Sequence, residues 1–140
     1  PVTNGSAQAQ VLETIQFAVL LDMDFGKVAV GSAGGVIELD PGTISRTCDP
    51  ALVCVGSFTM SRLQLSGSDA DVSVNYDPNF TLSGPGQPIL AEPQLPGGSG
   101  MVIHLTGGQA VVNFGARLHI NPGQTPGVYA GQFSVNLEYN

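Results

Sequence analysis

Tyr129-Ala130-Gly131-Gln132-Phe133-Ser134-Val135-Asn136-Leu137-Glu138-Tyr139-Asn140 decides the fold class. Tyr129, Gly131, Phe133, Val135, Leu137 and Tyr139 take the odd positions, and Ala130, Gln132, Ser134, Asn136 and Glu138 the even ones. A period of two puts the first set on the dry face and the second on the wet face of a pleated strand. A helix would send Phe133, Val135 and Leu137 to diverging faces. One half-buried strand is therefore expected from Tyr129 to Tyr139.

Upstream, Phe114, Ala116, Leu118 and Ile120 alternate with Asn113, Gly115, Arg117 and His119. Asn121-Pro122-Gly123-Gln124-Thr125-Pro126-Gly127 lies between the two runs and is dense in turn residues. Consecutive strands on so short a linker pair antiparallel, as a hairpin or as its equivalent split between two sheets. Shorter runs lie around Met101 to His104, Val72 to Tyr76, Phe58 to Leu65 and Gly35 to Leu39. At the front, Ala7, Ala9, Val11, Ile15, Phe17, Val19 and Leu21 share a face interrupted by Glu13, and their β-branched and aromatic content favours strand. Asp24-Phe25-Gly26, Asp40-Pro41-Gly42, Asp77-Pro78-Asn79 and Gly84-Pro85-Gly86 punctuate these runs. Residues 84–100, rich in Pro and Gly, are expected to be the longest loop. About seven or eight strands at this spacing predict an all-β, immunoglobulin-like two-sheet sandwich.

Composition narrows the function. The chain has 140 residues, enough for one domain. Only 11% of them are charged while 42% are hydrophobic, so neutral polar side chains must clothe the surface. The net charge of −7 leaves only Lys27, Arg46, Arg62 and Arg117 as cations, which excludes the clustered basic surface that nucleic acid requires. No apolar run approaches the ~20 residues of a membrane-spanning helix. Cys48 and Cys54 have neither the spacing of a redox pair nor nearby His or Cys for a metal, so a local disulfide is expected. It would stabilise by roughly 2 kcal/mol and implies an oxidising compartment, hence export. No signal peptide is visible, and Pro1 is read as lying near a mature terminus.

Candidate chemistry is sparse. His104 and His119 fall on outward strand positions, and the sequence predicts no convergent partner for a metal or general-base role, so both read as exposed structural histidines. Asp22, Asp24 and Glu13, or Asp69 and Asp71, lack the spacing of a calcium loop, and Asp24 and Asp77 read better as acceptors of backbone hydrogen bonds in turns. Gly31-Ser32-Ala33-Gly34-Gly35 is not a nucleophile elbow. Tyr76, Tyr129 and Tyr139 sit on inward registers, where packing outweighs a sugar platform. No catalytic residue, metal or cofactor is expected. The last strand does carry a recognisable physical problem: a long, regular edge that is apolar on one face invites a partner strand.

Asp24-Phe25-Gly26, Phe114-Gly115-Ala116 and the block Pro126-Gly127-Val128-Tyr129-Ala130-Gly131-Gln132-Phe133 leading to Tyr139-Asn140 resemble a bacterial exported domain of unknown function, number 4402. The resemblance spans about Asp22 to Asn140, and its C-terminal block is the most specific part. That family is similar to spore-coat-protein-U-like proteins and chaperone–usher pilin subunits. Like pilins, this sequence has a penultimate tyrosine, Tyr139, and a glycine fourteenth from its last residue, Gly127.

The resemblance implies an incomplete sandwich. Gly127, Tyr129, Gly131, Phe133, Val135, Leu137 and Tyr139 would border a groove left by a missing strand. Residues 1–12 would be an extension, with Ala7, Ala9 and Val11 as the side chains inserted into a neighbour, and residues 13–140 the sandwich. It also implies neighbouring copies in a polymer, a periplasmic chaperone and an outer-membrane usher as partners, with the product at the cell surface. The expected function is thus a non-enzymatic filament subunit. The alternative is an adhesin or carbohydrate-binding module that uses the 84–100 loop.

Overall fold

The computed structural model describes residues 2–140, and among these described residues there is no helix. Its strands are β1 (Gln16–Leu21), β2 (Lys27–Val30), β3 (Gly35–Asp40), β4 (Ser45–Cys48), β5 (Leu52–Val55) and β6 (Ser61–Ser66). They continue as β7 (Asp71–Tyr76), β8 (Phe80–Leu82), β9 (Ile89–Gln94), β10 (Met101–His104), β11 (Gln109–Ile120) and β12 (Val135–Tyr139). The expected all-β sandwich is observed. One large sheet runs β1-β6-β11-β3-β4, with β9 and then β8 added on β11; a second runs β10-β7-β12, and β2-β5 form a two-stranded ribbon.

β11 is the spine of the large sheet. Its first half pairs with β6, as far as Phe114 opposite Ser61. From Ala116, opposite Leu39, the pairing passes to β3, while β9 pairs from Gly115 to His119. Gly115 stands at this exchange of partners because nothing larger fits: a Cβ there would lie 1.8 Å from the Leu39 carbonyl oxygen. The Phe114-Gly115-Ala116 signature is thereby explained. Phe114 and Ala116 point into the core with no exposed surface.

Two apolar clusters fill the space between layers. Leu63 and Leu65 of β6 and Val112 and Phe114 of β11 meet Val72 and Val74 of β7 in the first. Ile37, Ile89, Ala91, Leu118 and Ile120 make the second, which the β2-β5 ribbon covers through Val28, Val30 and Leu52. The expected disulfide is present between Cys48 and Cys54, tying β4 to β5. Arg46 anchors the ribbon further: its guanidinium lies over the Phe58 ring and donates to the carbonyls of Phe25 and Gly56 at 2.9 and 3.1 Å.

Two expectations need correction. Residues 84–100 are not one loop, since they contain β9, whose Ile89, Ala91 and Pro93 alternate inward and whose Pro93 faces Ala116. The Pro and Gly around it masked a six-residue strand. Nor is the run from Tyr129 to Tyr139 one strand. Ala130 makes a lone bridge to Ser83 beside β8, and β12 begins only at Val135, opposite Tyr76 of β7. Residues 131–134 cross from one sheet to the other. β11 and β12 are thus split between sheets and do not form a hairpin.

Candidate strand-acceptor groove

β1 is the place where the sandwich fails to close. Phe17 and Val19 stand opposite Leu65 and Leu63, both buried, so their side chains point to the core side of the sheet. Yet Phe17 is 59% and Val19 54% exposed. An inward side chain remains that wet only where no second layer lies over it. Among the described residues β1 pairs with β6 alone and β12 with β7 alone, leaving each strand one unpaired edge.

A groove of about 820 Å³ runs between β1 and the stretch from Gly127 to Val135, the first residue of β12. Phe17 and Val19 of β1, Val28 of β2 and Val128, Phe133 and Val135 of the C-terminal stretch line it. Leu63, Ile37 and Leu118 of the two core clusters form part of its lining. Phe133 is the most deeply engaged of the rim residues, its ring 5.2 Å from Phe114 and 5.5 Å from Phe80 between centroids. It bridges the two halves of the core.

The glycines of the C-terminal block shape this rim. Gly127 has φ of 146°, and a Cβ on it would strike Pro85; a Cβ on Gly131 would sit 2.1 Å from the Thr81 carbonyl oxygen. Both let the chain pass close to the turn and strand beneath it. Tyr129 packs on the second cluster, its hydroxyl donating to the Thr125 carbonyl and accepting from Gly86 N–H. Gly127, Tyr129, Gly131, Phe133 and Val135 all line the groove, whereas Leu137 and Tyr139 lie beyond its end, packed against the first cluster.

Tyr139 closes that end. Its hydroxyl donates to the Glu13 carbonyl at 2.6 Å and accepts from Ser68 N–H at 2.8 Å, while Glu13 N–H donates to Ser68 Oγ at 2.8 Å. This three-residue knot joins the end of β12 to the root of the extension. Sequence reasoning missed Ser68 and Glu13 because nothing local marks a residue as a partner for a side chain far along the chain. Beyond the knot, residues 2–12 are exposed and belong to no strand. Ala7, Ala9 and Val11 lie there, none of them seated in the groove, and Pro1 is outside the described residues.

The titratable residues are placed elsewhere. His104 is held between two carboxylates, Nδ1 2.7 Å from Asp71 and Nε2 2.7 Å from Asp69. A carboxylate beside each ring nitrogen favours the doubly protonated ring. The Asp71 and Asp69 hydrogen bonds raise its pKa, and the Gly107 N–H, then His104, lower that of Asp69. His119 meets Glu92 across β11 and β9. Asp24 accepts from Gly26 N–H in its turn, as expected. Among the described residues no group of three or more His, Cys, Asp or Glu side chains is arranged to hold a metal, and no helix is long and apolar enough to cross a membrane.

Comparison with known proteins gives one match. The family model described as a domain of unknown function (DUF4402) matches residues 15–139. No curated protein and no solved structure matches. With nearly its whole length covered, from the residue before β1 to the last residue of β12, the chain belongs to the DUF4402 family.

Proposed function

We propose that this chain is a non-enzymatic structural subunit of a bacterial surface filament, assembled when the extension of one copy enters the groove of the next as a strand. One observation carries the reading: a groove lined by core side chains lies between β1, which has an unpaired edge, and the stretch from Gly127 to Val135 that leads into β12, while the eleven residues 2–12 belong to no strand of their own chain. A strand inserted there would satisfy main-chain groups on both rims, which supplies most of the affinity when side chains are small. Ala7, Ala9 and Val11 suit that division of labour. Their burial contributes only a few kcal/mol at ~25 cal/mol per Å².

The direction of the rims supports one polarity of insertion. β1 starts and β12 ends at the Tyr139 knot, so the rims run in opposite directions. The extension leaves at that closed end. In a linear chain of subunits the incoming neighbour must therefore sit at the other end, near Gly127 and Val128. Its extension then runs antiparallel to β12 and parallel to β1. Export through the periplasm, with a chaperone filling the groove until an usher exchanges it, fits the disulfide and the exposed Phe17. The adhesin alternative would have to work from the turns on either side of β9, since β9 itself is inside the sheet.

The test is deletion of residues 1–12 followed by addition of a synthetic peptide of that sequence. The truncated chain is expected to stop polymerising and to gain thermal stability on binding the peptide, by about 2.7 kcal/mol at a hundredfold excess over Kd. Polymerisation at unchanged yield without the extension overturns the reading.

A further inference from the structure

We propose that Asn4-Gly5 is a self-modification site, where the Asn4 side-chain amide is lost through a cyclic imide formed with the next peptide nitrogen. The inference is independent of strand donation. In the step, the Gly5 nitrogen attacks Asn4 Cγ. The new N–Cγ bond forms as Cγ–Nδ2 breaks, and the amide nitrogen leaves as ammonia, taking up the proton that Gly5 loses. Water then opens the five-membered imide at one of its two carbonyls. One opening yields aspartate; the other yields isoaspartate, with the main chain rerouted through the side-chain carbon. No oxidant or reductant is consumed.

The reaction needs an asparagine that can swing onto its own backbone, and a following N–H that is neither shielded nor committed to a hydrogen bond. Gly5 has no Cβ to block the approach, and even a Cβ built there would meet nothing within 4 Å. Residues 2–12 are exposed and outside every strand. Other asparagines serve as internal controls. Asn75, Asn113 and Asn136 lie inside β7, β11 and β12, where the ladder fixes the backbone geometry, and bulky Tyr76, Phe114 and Leu137 follow them. Asn79 precedes Phe80 at the start of β8. Asn121 precedes Pro122, which has no N–H to give up. The product adds a carboxylate, and in the isoaspartate form an extra main-chain atom, to a segment otherwise free of charge from Val2 to Leu12.

The full chain, incubated in mildly alkaline buffer at body temperature, would be followed by peptide mapping, ammonia release and enzymatic methylation of isoaspartate. Expected are conversion at Asn4 ahead of all the other asparagines, up to one ammonia per chain, and a mixture of the two acids at position 4. Gly5→Val should slow the conversion sharply without altering the melting temperature, because the position touches nothing. Retention of the Asn4 amide, conversion no faster than at Asn75 or Asn113, or an unchanged rate in Gly5→Val would each overturn the proposal.

Discussion

Gly115 and Tyr139 are single residues whose roles depend on atoms distant in the chain. Gly115→Ala would drive a methyl group into the Leu39 carbonyl at the point where β11 changes partners. Overpacking of this kind should cost about 3 kcal/mol, read as a lower denaturant midpoint with an unchanged slope. Tyr139→Phe removes both the hydrogen bond to Glu13 and the acceptor for Ser68 N–H. A loss of about 1–2 kcal/mol is expected, together with faster hydrogen exchange at Ser68. His104 makes a pH prediction. Its pKa is raised in the folded state, so its contribution is complete below the ordinary value of 6.5 and fades as pH rises through the raised one. The melting temperature should sag over that alkaline-going window, and His104→Gln should flatten the curve. Asp69, with its lowered pKa, acts oppositely: its contribution is present above the ordinary value of 3.8 and is lost in stronger acid.

Among the elements, β1 discriminates best between a docking edge and a merely greasy one. Phe17 and Leu20 are both well exposed, at 59% and 47%, but only Phe17 lines the groove. Phe17→Asp should weaken binding of the extension peptide by about tenfold to a hundredfold, the equivalent of one large apolar side chain. Leu20→Asp should leave binding nearly unchanged. Equal effects in isothermal titration would mean that the groove is not where the peptide docks. Several of these elements were legible in sequence: β3, β6, β7, β10 and β11 coincide with alternating or apolar runs. β9 was not, because Pro93 and the flanking glycines read as loop, whereas its place beside β11 buries Ile89 and Ala91. β2, β4, β5 and β8 are only three or four residues long and, unlike β10, are not part of a longer alternating run.

At the scale of the whole molecule, the polarity of insertion is open to a direct trial. β12 ends where an inserted strand antiparallel to it would begin. A copy of residues 1–12 appended after Asn140 through a turn of about four residues should therefore close back on β12 as a hairpin. With the original extension removed, such a chain should be monomeric and more stable. Each added kcal/mol would raise its melting temperature by about 2–4 °C. If closure instead needs a linker long enough to cross the groove, the strand runs parallel to β12 and the head-to-tail arrangement is wrong.

Composition, cysteine spacing and two-residue periodicity were enough to establish an all-β chain, the local Cys48–Cys54 disulfide and the inward set Phe133, Val135, Leu137 and Tyr139. Those features are local: a side chain's face is set by its neighbours along the strand, and a small loop is closed by nearby residues. Only the tertiary structure could decide that the run from Tyr129 changes sheets at residues 131–134, that Ser68 and Glu13 meet Tyr139, and that Phe17 faces the core side yet stays wet. Whether a strand edge is paired depends on where every other strand lies, and alternation along one segment carries no record of that.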